Sequence, residues 1–303
     1  MDFPTNHEQD HFRGCLLGLA VGDALGTTVE FQHRGTFPAL TDIVGGGIFG
    51  LAPGQWTDDT SMALCLAASL VETGGFDMAD QISRYLRWYD QGYMSSTGTC
   101  FDIGSTTREA LDRYRHSAKP ASGSTHPSTA GNGSLMRLAP VPMFFCPDRT
   151  RARLYAGKSS RTTHAAKLCV EACILFADML VQGLAGKDKD EILFGSSLVE
   201  IKSPEILGIA GGSYKDKNTE HIRGNGYVVD SLEAALWCFW KSDSFEQAVL
   251  TAANLGEDAD TTAAICGQLA GAFYGERSIP RPWLEKLCMR KEITALADGL
   301  AIY

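Results

Sequence analysis

Glycine recurs every fourth residue at two widely separated places in this 303-residue chain: Gly14, Gly18, Gly22 and Gly26, and again Gly267, Gly271 and Gly275. Both runs sit among residues that otherwise read as helix. Glycine costs a helix about 1 kcal/mol relative to alanine, so a run of it on one helical face needs a compensating reason. Close approach supplies one: without Cβ atoms on that face, a second backbone can pack directly against the first. Membrane helices use the same spacing. Here Arg13 and Asp23 flank or interrupt the first run, and no uncharged apolar stretch nears the roughly 18 residues of a membrane span. The expectation is two central helices packed backbone to backbone, drawing remote parts of the chain together, with Gly26 and Gly275 the members best suited to turns.

Periodicity around these runs predicts an all-α fold. Phe12, Cys15, Leu16 and Leu19 repeat at helical spacing, as do Met62, Cys65, Leu66 and Leu70. Further helices are predicted over 78–88, 106–114, 165–180, 231–240, 245–254 and 261–273. Strand signals are sparse and short. There is no low-complexity tract and no Pro- or Ser-rich linker, so a single domain over 1–303 is the simplest organisation. Two segments look irregular. Residues 27–55, with Pro38, Gly45-Gly46-Gly47, Pro53 and Gly54, read as a mobile loop over a site, since long loops in compact domains are often functional lids. Residues 183–226, with Lys187-Asp188-Lys189-Asp190 and Gly211-Gly212, read as insertion and surface.

Charge and cysteine usage bound the partners. The formal net charge is −9, without any dense Lys/Arg block, so the counterion-release attraction to nucleic acid is missing. The N-terminus lacks a basic region followed by an apolar run, so no signal peptide is expected. The nine cysteines are an odd count, mostly within apolar segments. Cys169 and Cys173 stand one helical turn apart, but no second Cys/His pair at zinc-finger spacing accompanies them. They read as buried free thiols, and the setting as cytoplasmic.

Two short acidic motifs carry the chemistry: Trp56-Thr57-Asp58-Asp59-Thr60-Ser61 and Gly256-Glu257-Asp258-Ala259-Asp260-Thr261-Thr262. Each precedes an apolar, alanine-rich helix. One reading is N-capping, where Asp, Ser and Thr oxygens accept free backbone N–H groups. That explains one aspartate per motif more readily than two. The other reading brings four carboxylates together, where mutual repulsion would call for a cation. The donors are all oxygen, which suits hard divalent ions rather than zinc. Four carboxylates and two threonine hydroxyls could hold two such ions, a known hydrolytic arrangement.

Five motifs, in order, extend the pattern over nearly the whole chain. They are Gly18-Leu19-Ala20-Val21-Gly22-Asp23-Ala24-Leu25-Gly26, Gly54-Gln55-Trp56-Thr57-Asp58-Asp59-Thr60, Gly131-Asn132-Gly133-Ser134-Leu135-Met136-Arg137, Gly226-Tyr227-Val228-Val229-Asp230 and Asp258-Ala259-Asp260-Thr261-Thr262. In this the chain resembles the ADP-ribosylglycohydrolase family. The resemblance implies a single compact multi-helix domain with a metal-centred active-site cleft and two divalent cations, Mg²⁺ or Mn²⁺. Carried over by motif, the metal ligands are Thr57, Asp58, Asp59, Asp258, Asp260 and Thr261. The ions would hold the ribose diol beside the scissile bond. Glu30, on the loop after the first glycine run, matches a glutamate that reaches the ribose, and Asp102 matches an aspartate of members acting on arginine linkages. Protons would pass through a carboxylate among Glu30, Asp59 and Asp102.

The same resemblance makes Gly131, Asn132, Gly133 and Ser134 a diphosphate cradle, with His164 contacting the ligand and Tyr227 stacking on the adenine. A residue-level reading leaves each of these as an ordinary turn, cap or core position. Arg137 stands outside the site, read as a buried ion pair that fixes the loop. One departure is Glu257, where many relatives carry a small residue. The implied activity is hydrolysis of the N-glycosidic bond between ADP-ribose and a protein side chain, arginine first, releasing ADP-ribose. Alternatives are O-linked serine substrates, a metal-dependent phosphohydrolase, or a non-catalytic ADP-ribose binding protein on the same fold.

Overall fold

The computed structural model describes residues 6–302, and the helical periodicity is realised there as fourteen α-helices. In chain order these are α1 (Asn6–Gly26), α2 (Asp58–Thr73), α3 (Met78–Gln91), α4 (Ser105–Ser117), α5 (Pro140–Phe145), α6 (Arg149–Ser160) and α7 (Lys167–Leu184). There follow α8 (Lys189–Phe194), α9 (Pro204–Ala210), α10 (Val228–Lys241), α11 (Phe245–Ala253), α12 (Ala259–Tyr274), α13 (Arg281–Lys286) and α14 (Arg290–Leu300). Strand-like pairing among the described residues is confined to isolated bridges. The result is a single compact all-α domain.

The two glycine runs meet. Helices α1 and α12 pack antiparallel, with Gly14 on Gly271, Gly18 on Gly267, Gly22 on Ala263 and Gly26 on Ala259. A Cβ at any of these four α1 glycines would overlap backbone atoms of α12. The antiparallel sense sets the C-terminal end of α1 beside the N-terminal end of α12. Gly26 is thus the last residue of a helix and part of this contact rather than a turn. Gly275 does end α12, at φ +81°, a backbone conformation that glycine adopts without steric cost.

Around this pair, α7 is buried on nearly every face, which places it in the core rather than at the surface. Its carboxylate Asp178 is satisfied by Arg149 at 2.9 and 2.5 Å, Arg153 at 3.0 Å and the Ser197 backbone N–H at 3.1 Å. Cys169 and Cys173 on the same helix are free and buried. No helix of the described residues is long and apolar enough to cross a membrane.

Two local expectations change. Residues 183–226 are not merely surface: α8 and α9 fold there, and Ile192, Leu193, Ile201, Ile206, Ile209, Tyr214 and Ile222 are buried in the core. Residues 27–55 are irregular as expected, beyond one 3₁₀ turn at Thr27–Val29, yet anchored along their length. Asn254 exchanges two hydrogen bonds with the backbone of Leu40, and Lys286 reaches Asp42 and the Ile43 carbonyl.

Candidate active site

Both acidic motifs open a helix: Asp58 and Asp59 lie in the first turn of α2, Asp260 in that of α12. The capping reading fails at both. Neither N-cap residue, Thr57 or Asp258, makes a side-chain cap hydrogen bond. The cap of α2 comes from α1 instead. Asp23 Oδ1 accepts from the Thr57 N–H (2.9 Å) and hydroxyl (3.0 Å), and Oδ2 accepts from the Thr60 N–H (3.0 Å) and hydroxyl (2.6 Å). With those N–H groups satisfied from outside, the α2 carboxylates need not cap their own helix.

The packing of α1 on α12 then closes the site. The Thr57 hydroxyl lies 3.3 Å from Asp59 Oδ2 and 3.2 Å from Asp260 Oδ2, and the Thr261 hydroxyl lies 3.4 Å from Asp59 Oδ2. Carboxylate oxygens of Glu30, Asp102 and Asp260 all fall within 4.8 Å of one another. Glu30, Asp58, Asp102, Asp258, Asp260 and Thr261 line one cleft, together with Gly131–Gly133, His164 and the first turn of α4. Thr57 and Asp59 sit beneath its floor, at most 1% exposed.

So many acids in one buried place strain their ionisation. Burial, then the neighbouring carboxylates, hold Asp58, Asp59 and Asp260 well above the usual carboxylate range. Burial followed by Asp102 and Asp258 pushes Glu30 up to about 9, and burial followed by Asp23 and Asp258 pushes Asp102 up to about 8. Glu30 Oε2, Asp59 Oδ1 and Asp260 Oδ1 are buried without any hydrogen-bond donor. No lysine or arginine is among the residues lining the cleft. Orphaned carboxylate oxygens without a basic counter-charge fit a hard divalent cation.

Four segments that carry the site are stitched backbone to backbone. The Phe31 N–H donates to the Glu257 carbonyl at 2.7 Å, and the Glu257 N–H to the Gln32 carbonyl at 2.7 Å. The Asp258 N–H donates to Gly224, the Asn132 N–H to Gly226 and the Val228 N–H to Ala130. Arg34 ties three of these segments at once, donating from Nε to the Leu255 carbonyl (3.2 Å), from one terminal nitrogen to Ile222 (2.6 Å) and from the other to Thr219. Phe31, Asp102 and Glu257 all take positive φ, near +60°. Such backbone is uncommon outside glycine, and its clustering marks functional sites.

The sequence profile described as ADP-ribosylglycohydrolase matches residues 4–303. The chain belongs to the ADP-ribosylglycohydrolase family. It is 47% identical to the ADP-ribosylarginine hydrolase Tri1 of Pseudomonas putida (strain GB-1), over 96% of this chain and 78% of that protein. It is 43% identical to the protein of the same name from Serratia proteamaculans (strain 568), over 98% of this chain and 80% of that protein. A solved structure titled ADP-ribosylglycohydrolase-related protein complex superposes with a TM-score of 0.86 at 42% identity, covering 98% of this chain and 99% of that one.

Within this family member, the remaining expected residues fall in distinct places. Asn132 lines the cleft, but its amide is occupied, donating to Asp258 Oδ2 (2.7 Å) and Ser231 Oγ (2.8 Å). Gly133 makes room for His164: a Cβ there would come within 2.8 Å of the His164 ring, whereas one at Gly131 would make ordinary contact at 3.5 Å. That ring is buried beside Thr163 (2.9 Å). Burial, then the Arg137 charge, push its pKa down to about 3, so it is neutral and offers an anion no positive charge. Ser134 faces the core, its hydroxyl 2.9 Å from that of Ser160. Tyr227 is 39% exposed and lines an adjoining cleft with Pro127–Gly131.

Arg137 is fully buried but not ion-paired: among the described residues no carboxylate lies within salt-bridge distance of it. It fixes the loop through the Gly133 carbonyl (2.9 Å) and the Thr163 hydroxyl (2.7 Å), with Tyr85 under its guanidinium. Asp23 and Arg34 are site-supporting residues that the sequence reading passed over. The signal for Asp23 was present: a carboxylate near the C-terminal end of a helix opposes the helix dipole, so an acid there has another task.

Proposed function

We propose that this chain is a divalent-cation-dependent hydrolase that cleaves the N-glycosidic bond joining ADP-ribose to an arginine side chain of a modified protein. The observation that carries the proposal is the set of Glu30, Asp102 and Asp260 oxygens converging within 4.8 Å at one cleft, in a chain similar throughout to two proteins named ADP-ribosylarginine hydrolase.

Thr57, Asp58, Asp59, Asp258, Asp260 and Thr261 would hold two Mg²⁺ or Mn²⁺ ions. When bound, these supply Lewis-acid positioning of the ribose diol and neutralise the clustered carboxylates. The chain's own residues do the rest. Asp59 lies under the floor, so proton handling falls to Glu30 and Asp102, which line the cleft. One of the two takes a proton from the attacking water and one gives a proton to the leaving nitrogen. The transition state has oxocarbenium character. Backbone at Gly131–Gly133 and the first turn of α4, Ser105–Thr107, lines the same cleft. A helix N-terminus there suits the diphosphate. Asn132 holds Asp258 in place, and Tyr227 offers an adenine platform in the adjoining cleft.

The test is a panel of arginine-, serine- and glutamate-linked ADP-ribose conjugates, incubated with protein and Mg²⁺ or Mn²⁺ and read by mass spectrometry. Free ADP-ribose released from the arginine conjugate is the expected result. Release of AMP or phosphate would replace the proposal with phosphoryl chemistry. Tight ADP-ribose binding without release at saturating cation would make the chain a binding protein.

A further inference from the structure

Phe31 stands out from the carboxylates around it. It lines the cleft with Glu30, Asp102 and Asp260, yet is 61% exposed. Its φ of +61° is one that a bulky aromatic rarely adopts. The backbone holds it there: Phe31 N–H bonds the Glu257 carbonyl, and Glu257 N–H returns to the Gln32 carbonyl. Glycine would satisfy that geometry without strain, and a polar side chain would suit the exposure. A phenyl ring answers neither demand.

The ring also lacks a partner of its own. Among the described residues, no other ring stacks on it and no lysine or arginine covers it, although such contacts occur at Phe49, Phe145 and Phe194. An exposed aromatic face beside an acidic cleft without basic side chains favours a planar cation, attracted by the ring quadrupole and by the carboxylates together.

The geometry points to Phe31 as the platform for the guanidinium of the modified arginine, and so as a residue that determines leaving-group specificity. This rests on the arginine reading above. The guanidinium is cationic in the substrate, and a proton delivered from Glu30 or Asp102 to the leaving nitrogen as the C–N bond breaks lets it depart as a guanidinium, so the ring holds a cation in ground state and transition state alike. Its loss is therefore felt in KM more than in kcat.

Three variants separate ring from backbone. Phe31→Tyr keeps the ring, Phe31→Leu keeps the strained backbone without a ring, and Phe31→Gly removes both. Each is assayed on an ADP-ribosylated arginine peptide with saturating Mg²⁺. ADP-ribose affinity is measured by calorimetry and folding by thermal melting. Phe31→Tyr is expected to stay within about twofold of wild type, whereas Phe31→Leu and Phe31→Gly lose about tenfold in kcat/KM through KM. ADP-ribose affinity should be unchanged in all three. Because leucine and glycine place opposite demands on the backbone, a shared defect in both identifies the side chain. Wild-type activity on arginine together with full kcat/KM in Phe31→Leu overturns this inference alone. A wild-type protein that fails on arginine conjugates overturns the functional reading and this inference with it.

Discussion

Asp23 accepts both the backbone N–H and the hydroxyl of Thr57, at 2.9 and 3.0 Å, from a fully buried position on a different helix. The α2 N-terminus is capped from α1, which leaves Asp58 to line the cleft and Asp59 to lie beneath it. Replacing Asp23 with alanine strands the Thr57 and Thr60 donors in the core. The expected cost is about 2 kcal/mol of stability. Divalent-cation affinity is expected to fall about tenfold to hundredfold, as for residues that orient metal ligands. Denaturant unfolding and calorimetric titration with Mn²⁺ measure the two effects. Unchanged Mn²⁺ affinity in Asp23→Ala would show that Thr57 needs no such support.

Gly18 lies directly on the backbone of Gly267. Gly18→Ala is expected to destabilise by about 3 kcal/mol, because backbone on both sides leaves no flexible side chain to yield. Gly75 meets nothing within 4 Å and has no special backbone, so Gly75→Ala should stay within about 0.5 kcal/mol. Equal denaturation midpoints for the two variants would remove the helix contact from the list of stabilising features.

The pH dependence of the cation-free protein follows from Glu30 held up to about 9 and Asp102 up to about 8. Folded values above the unfolded ones, 4.5 and 3.8, mean that the native state keeps protons the unfolded chain has released. That contribution is complete below the unfolded values and fades as pH rises through the folded ones. Melting temperature without cation is expected to drop between about pH 5 and 9, and the increment on adding Mg²⁺ or Mn²⁺ to grow over the same interval. A cation-induced increment that stayed flat with pH would contradict this.

Arg34 donates to carbonyls of Thr219, Ile222 and Leu255, and among the described residues it forms no ion pair. Arg34→Ala is expected to lower kcat/KM about tenfold or more while shifting the global melting point by only a few degrees, since α1 and α12 do not depend on it. Hydrogen exchange should quicken at 30–34 and 222–226 but not in α12. Arg34→Lys, still a donor but without the planar fork, should recover part of the activity. Uniformly faster exchange across the molecule would assign Arg34 to general stability instead.

The long elements were legible because their signals are long. Periodicity predicts a helix over 78–88 and the chain folds one at Met78–Gln91. The glycine spacing foretold the α1–α12 contact. The short helices were not legible. The six residues of α5 and of α13 complete fewer than two turns, and each begins at a proline-marked end, so no period accumulates. In 183–226, Ile201 and Ile222 stand singly among charged or polar neighbours and the other buried isoleucines lie in apolar runs too short to build a period, so only the tertiary fold shows them inside. At the site, spacing alone brought the acidic motifs under suspicion, but not the division of labour around them. That Asn132 serves Asp258, or that Gly133 yields space to His164, depends on contacts between segments that no local pattern encodes.

The pairing of Gly18 with Gly267 also orders events in time. A nascent chain that has not yet released α12 from the ribosome exposes a bare glycine groove on α1, and Glu30 has no Asp260 to meet. Hydrolytic competence is thus a late product of translation. A fragment ending before residue 259 should regain the cleft only by complementation, when a second fragment bearing α12 settles into that groove.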